Sequence, residues 1–411
     1  MSSSSSSPVS HGILLVIGGA IGAGMFALPM VSAGPWIWWS ALGMLIVCTM
    51  TYLAAMTVAK SHWKLIHDST VQIDYSSNFN AIVTVTLGPR WALINNFSIT
   101  FIMMILMYAY ITAGGNILTH TLETFSVNNT SILRPWLSLF FALVIGCMVW
   151  FGVSTVSRLL LLLLLIMSLT FFIATSSLLP QIKTVDLVAT NSEPIYLLAA
   201  LPVFVTAFAC GGLVPSLVQH YRAEPNKVKQ SLLWGAVITL VIYLYWLVVT
   251  LGTVSRAEFN VIANSGSTLT NLVEALTANG ADADITSRLS LFSHLAIVTS
   301  FLSVGVGLLH FIQDKFSLGH SLRQRGVAAL MCFAPPALAS FFLPYGFVHA
   351  ISYAGLFVAF SFFVLPGFVG RRVLSSEENF ERFVAALCIG FGMLILALKT
   401  ALNTSLLTQF A

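Results

Sequence analysis

The sequence predicts an all-α integral membrane protein with eleven transmembrane helices, and three observations predict it. Of the 411 residues, 57% are hydrophobic and only 8% are charged, whereas a soluble domain carries about 25% charged residues. The apolar residues gather into runs near the roughly 20 residues that a bilayer-crossing helix needs. Two of these runs, the first and the sixth, are interrupted by glycine at corresponding places, the pattern that points to a transporter's binding site.

Met1 to Ser7 is a serine tract. Residues 1–8 read as a disordered cytoplasmic tail, and the lack of a basic residue before span 1 argues against a cleaved signal peptide. The spans fall at roughly 10–33, 36–59, 91–119, 135–153, 157–179, 195–218, 229–252, 287–312, 326–343, 346–369 and 381–404. Span 1 holds Gly18, Gly19, Gly22 and Gly24, followed by Pro29. Each glycine costs about 1 kcal/mol in a helix relative to alanine. Non-helical backbone at membrane depth persists only where protein covers it or where it lines a water-filled cavity. Span 6 carries Gly211 and Gly212 between Pro202 and Pro215 and reads as a second break.

The two breaks are five spans apart, an odd number. Repeats of five helices then lie in opposite senses in the membrane, the inverted arrangement of many secondary transporters. The repeats are 9–180 and 194–370, with 380–404 as an extra helix 11. The order of the breaks carries this expectation, since the two halves share no visible sequence similarity.

Orientation follows the lysines and arginines of the connections. With a cytoplasmic N-terminus, thirteen of the eighteen face inward. Arg134, Lys183, Arg256, Arg288 and Lys399 face outward, and the C-terminus is external. The scattered net charge of +4 gives no nucleic-acid partner. The connection 62–90 predicts a short surface helix. In 253–287, the spacing of Leu269, Leu272, Val273 and Leu276 predicts an amphipathic helix, either a cap on the loop or a lid over the substrate path. The five cysteines lie in apolar spans, without metal spacing or a disulfide framework.

Candidate site residues cluster at the breaks. Gly19, Ala20, Gly22, Ala23 and Gly24 expose backbone N–H groups for a substrate carboxylate and carbonyls for an ammonium or a cation; the competing reading is close packing through small residues. Phe208, Ala209, Cys210 and Gly211 form the second break, with Phe208 as a wall for an aromatic ring and Cys210 as a small packing residue. In span 3, Tyr108 and Tyr110 point to different helix faces, and Tyr108 is the one expected at the site. The span 8 hydroxyls Thr299 and Ser300 are oxygen ligands for a coupling cation, or else they bond back to their own helix. His310, one turn before Asp314, is a candidate proton relay or a satisfied structural histidine. His294 and His349 lie nearer the outer side of their spans and are weaker candidates.

The motifs resemble a known family. Gly22-Ala23-Gly24-Met25 with Ala27-Leu28-Pro29, Leu106 to Tyr110, Pro215-Ser216-Leu217, Leu251 to Ser255 with Phe259, Ala296 to Leu302, Pro335-Pro336, Pro344 to Phe347 and Tyr353-Ala354-Gly355 are similar to the bacterial hydroxy and aromatic amino acid permeases. These belong to the amino acid–polyamine–organocation superfamily, and the resemblance is nearest to the tyrosine-specific members. It covers all eleven spans in order. It implies a leucine-transporter-type fold with broken helices 1 and 6, functional as a monomer in a bacterial inner membrane. It also implies import of an aromatic amino acid, tyrosine first, with tryptophan, phenylalanine or another small neutral amino acid such as serine or threonine as alternatives. No cofactor is implied beyond a coupling cation, the proton, with sodium as the alternative. Two departures stand out. Ala207-Phe208-Ala209-Cys210-Gly211 replaces the family's Ser-Phe-Gly-Phe-His, and Met167 stands where a span 5 lysine is usual.

One monovalent cation falling through 100 mV supplies about 2.3 kcal/mol, enough for roughly fifty-fold accumulation of a zwitterion. No nucleotide-binding loop is present. An uncoupled facilitator or channel would need a filter ring, which the spans do not show. An enzyme would need convergent acids and bases, and the spans contain almost none.

Overall fold

The computed structural model describes residues 7–124, 130–151, 153–189, 194–222, 224–266, 268–278, 283–319, 321–375 and 377–403. In chain order the helices begin with α1 (Val9–Ala20), α2 (Ala27–Ser32), α3 (Trp36–Ile66), α4 (Phe79–Leu87), α5 (Pro89–Thr124) and α6 (Thr130–Phe151). The middle of the chain gives α7 (Val153–Leu178), α8 (Thr184–Ala189), α9 (Ile195–Ala207), α10 (Val214–Tyr221), α11 (Pro225–Thr253) and α12 (Arg256–Asn264). The last are α13 (Leu269–Ala278), α14 (Ala283–Lys315), α15 (Leu322–Phe342), α16 (Phe347–Ala359), α17 (Leu365–Val373) and α18 (Asn379–Asn403). Among the described residues, ten spans are long and apolar enough to cross a membrane, and the bent pair α1 with α2 makes the eleventh. The expected span count and both predicted connection helices, α4 and α13, are present.

Local chemistry sets the ends of these elements. The Asn78 side chain accepts from the Ala81 N–H and starts α4, and Gly88, at φ 97°, ends it where a side chain would be strained. Ser255 and Glu258 form a reciprocal capping box on α12, which satisfies two orphan donors at once. Leu269, Leu272, Val273 and Leu276 are all buried along α13, as their spacing requires of an amphipathic helix. Where lipid removes the hydrophobic drive between helices, small residues let backbones approach. A Cβ on Gly355 of α16 would lie 2.0 Å from the Pro202 carbonyl oxygen of α9.

The buried apolar residues form two clusters. The larger takes in Ala23 to Leu28 and most of α9, with the facing parts of α5, α7, α11, α14 and α16. The smaller holds Val16, Cys210, Val214, Leu217 and Val218 with α4 and the lower part of α3. Both broken spans cross from one cluster to the other, and the breaks lie at the boundary. Arg256 donates to the carbonyls of Ala33 and Gly34 and ties α12 to the end of α2. At the opposite, α4 end, Lys60 pairs with Glu381 at 2.9 Å and Lys64 pairs with Glu378. Hydrogen bonding from Lys64, then from Ser375, draws the Glu378 carboxyl down to about 2.

One cation sits elsewhere than its sequence placed it. Lys399, grouped with the outward loops, lies within α18 and is only 6% exposed. Its Nζ donates to Ser352 Oγ at 2.9 Å and lies 4.2 Å from the centre of the Tyr353 ring. Burial between α16 and α18 makes it part of the bundle.

Candidate functional site

The first break comprises two extended residues and a tight turn. Ile21 (φ −79°, ψ 121°) leaves the helical path after α1. Gly22 is fully extended. A single 3-10 turn over Ala23–Phe26 then leads into α2, and the two halves meet at 54°. Three side chains from other helices hold this shape. Ser300 Oγ of α14 accepts from the Ala23 N–H at 2.8 Å. Trp246 Nε1 of α11 donates to the Met25 carbonyl at 3.1 Å. The Tyr243 hydroxyl lies 2.6 Å from the Ala20 carbonyl oxygen. A Cβ on Gly22 would come within 2.5 Å of Ser300 Oγ, whereas one on Gly24 would meet nothing within 4 Å. The N–H groups of Gly22 and Gly24 have no partner among the described residues.

The second break is shallower. α9 ends at Ala207, Phe208 and Cys210 adopt conformations outside the helical region, and a turn over Gly211–Leu213 starts α10. Thr206 Oγ1 donates across to the Ile351 carbonyl of α16 at 2.9 Å, with its own Pro202 carbonyl at 3.0 Å. Phe208 is 3% exposed and meets the Tyr243 ring edge-on at 5.1 Å. The Tyr243 hydroxyl, already beside Ala20, also lies 3.0 Å from the Ala207 carbonyl oxygen. It therefore stands at the ends of both half-helices.

The structure brings together Ala20, Gly22, Ala23, Gly24, Phe208 and Ser300, and corrects the choice of tyrosine. Tyr110, not Tyr108, faces the break, with its hydroxyl beside Ser300. Tyr108 turns the other way and donates to the Leu343 carbonyl at 2.7 Å. It lines a lateral cavity of about 610 Å³ shared with Phe101, Pro335, Gly346, His349 and Tyr353. Two positions on one helix differ by about 200° of rotation, so one of the pair had to turn away. Gly19 packs on Leu213 of the second break. Gly211 packs on Phe362, which sits in a π-helical turn over Phe360–Val364 in the middle of span 10. Cys210 is buried as a free thiol, in keeping with a packing role.

The span 8 residues divide. Thr299 Oγ1 bonds back to the Ala296 carbonyl at 3.2 Å and lies 3.5 Å from Met167 Sδ. Met167 thus faces the span 8 hydroxyl from span 5. His310 does not join the site. It is exposed, ten residues from Ser300, about 15 Å along the helix, and forms no ion pair with Asp314 among the described residues. His294 lies on the other side of Ser300, toward the start of α14, on a small polar cavity with His120 and Glu274.

Sequence reasoning missed Tyr243 and Trp246. Their only signal was a polar tip within an otherwise apolar span, since a buried phenol or indole needs a partner. On the α12–α13 side of the breaks, Phe26, Phe171, Trp246 and Phe292 pack ring against ring at 5.1 to 6.2 Å, and Phe26, Trp246 and Phe292 are fully buried. On the α4 side, Gly18, Gly19 and Gly212 are exposed. The breaks are sealed by aromatic rings on one side and open on the other.

A model of the tryptophan/tyrosine permease family matches residues 5–408. The tryptophan-specific transport protein of Pseudomonas aeruginosa (strain UCBPP-PA14) is 35% identical over 88% of this chain and 85% of its own length. The tyrosine permease of Enterobacter agglomerans is 29% identical over 87% of this chain and 86% of its own. Among solved structures, a mutant manganese transporter of Eremococcus coleocola aligns with a TM-score of 0.59 over 96% of this chain and 86% of that one. The two are 13% identical, a likeness that carries the fold alone.

Proposed function

Because the chain belongs to the tryptophan/tyrosine permease family, we propose that it imports an aromatic amino acid by cation symport with alternating access. The family is one of permeases, and the chain is a multi-span membrane transporter, not an enzyme. The observation that carries the reading is the meeting of two broken helices at one depth, between two apolar clusters. The N–H groups of Gly22 and Gly24 are donors for the substrate carboxylate. Carbonyl oxygens of the linkers after Ala20 and Ala207 are acceptors for its ammonium group. Phe208 and Tyr110 flank the gap and supply an aromatic wall.

Tryptophan is the first substrate, with tyrosine second. The tryptophan transporters of Pseudomonas and Haemophilus, at 35% and 33% identity, stand above the tyrosine transporters at 29% and 31%. The lack of a histidine in the second break also suits a ring with little hydrogen bonding. The proton is the coupling ion, with the N-terminus cytoplasmic, the C-terminus periplasmic and the monomer as the working unit. Exposure of Gly18, Gly19 and Gly212 then makes this conformation inward-open.

The test is uptake of labelled tryptophan into proteoliposomes with pH and sodium gradients imposed separately. Accumulation driven by the pH gradient, and reduced more by unlabelled tryptophan than by tyrosine, is expected. Gradient-driven uptake of tyrosine alone would reverse the substrate order. No gradient-driven uptake of any aromatic amino acid would end the reading.

A further inference from the structure

Among the described residues, Tyr243 hydrogen-bonds to both breaks. It is fully buried in α11. Its hydroxyl oxygen lies 2.6 Å from the Ala20 carbonyl oxygen and 3.0 Å from that of Ala207. These residues end α1 and α9, and after each the chain leaves the helix. A phenol carries one proton, so it cannot donate fully to both oxygens. Two helix-end carbonyls converging on one point carry the negative ends of two helix dipoles. Such oxygens are ligands for a hard cation, and in broken-helix transporters unwound carbonyls hold coupling ions. Here a neutral hydroxyl sits between them.

We propose that the Tyr243 hydroxyl holds the place of a monovalent cation between the two broken helices, so that the chain joins its two half-helix ends without binding an ion there. The inference rests on the reading of the two breaks as the transport site, and it names the group that ties them. The Tyr243 ring is held by Phe208, so removing only the hydroxyl keeps the ring in place. It leaves two carbonyls facing a gap about one water in size. A small cation then has an oxygen-lined position that the wild-type protein fills with its own side chain.

The test compares wild type with Tyr243→Phe. Thermal unfolding is followed in choline chloride and in sodium chloride at equal ionic strength. The wild-type midpoint is expected to be the same in both salts. The variant should unfold earlier in choline and recover in sodium by about 2–4 °C or more. In parallel, uptake is measured in membrane vesicles, where the bilayer supports a variant that does not survive detergent. Wild-type uptake should be indifferent to sodium, and that of the variant should become sodium-dependent. A wild-type sodium response that the variant loses would make Tyr243 a ligand of a sodium site and overturn the proposal. Equal responses in both proteins, or no response in the variant, would also overturn it. Tryptophan and tyrosine are added in a separate arm. If neither stabilises the wild type, the substrate reading falls, while the salt comparison still decides the role of Tyr243.

Discussion

The two breaks look alike in sequence and differ in how they are held. The first bends by 54° and is gripped by Ser300, Trp246 and Tyr243 from two other helices. The second stays within one continuous span, and Tyr243 and Thr206 are the side chains that bond across at its edge. A break braced on both sides is a fixed frame. One braced at its edge can change shape with less loss. The difference assigns the rigid part of the site to span 1 and the adaptable part to span 6. It predicts that equal chemical insults do more harm at the first break.

The largest effect is expected from Gly22→Leu. Even the first carbon of the new side chain would lie 2.5 Å from Ser300 Oγ. The Ala23–Ser300 bond must break or the 3-10 turn must move. A shift of about 1 Å at a binding centre costs on the order of 100-fold, so uptake should fall by at least that much while membrane insertion, read by surface labelling, is unchanged. Uptake near wild type would show that the first break is not the frame. Next comes Ser300→Ala, which strands the buried Ala23 N–H at a cost of about 1–3 kcal/mol. A roughly tenfold loss of substrate affinity, measured by competition, is expected. An unchanged affinity would mean that water replaces the hydroxyl and that the brace is not needed.

The positions of these braces explain how much of the molecule was legible in the chain. Run length and glycine clustering depend on neighbours in sequence, so the eleven spans, both breaks and α13 follow from composition and period. The bracing depends on pairs such as Ala23 with Ser300 and Ala20 with Tyr243, far apart along the chain. No local pattern separates Tyr243 from an interfacial tyrosine. The choice between Tyr108 and Tyr110 turned on the rotation of α5 about its axis, which packing against α14 and α16 sets. Lys399 was misplaced because a lysine four residues from the end of an apolar run looks like a loop residue. The hydroxyl of Ser352 and the ring of Tyr353 hold it inside.

At the second break, Thr206→Val keeps the shape of the side chain and removes its hydroxyl. The bond to the Ile351 carbonyl is lost, a net loss of about 1 kcal/mol. The expected result is a change of a few-fold in the ratio of tryptophan to tyrosine uptake, smaller than the effect of Ser300→Ala on either. An effect on transport as large as that of Ser300→Ala would erase the distinction between a rigid and an adaptable break.

The smallest effect is the sharpest control. Gly22 and Gly24 lie two residues apart in the same break, yet only Gly22 is crowded. A methyl group on Gly24 meets no atom within 4 Å, and alanine suits a helical turn better than glycine. Gly24→Ala should therefore leave folding intact and project its methyl into the space assigned to substrate. Thermal stability should be equal to wild type or slightly higher. The added methyl should disfavour tryptophan, the larger ring, more than tyrosine. If Gly24→Ala unfolds the protein, the space beside Gly24 is not open and the site lies elsewhere along the break. If it is stable and transports both amino acids as before, Gly24 faces the opening but not the substrate, and the carboxylate donor narrows to Gly22.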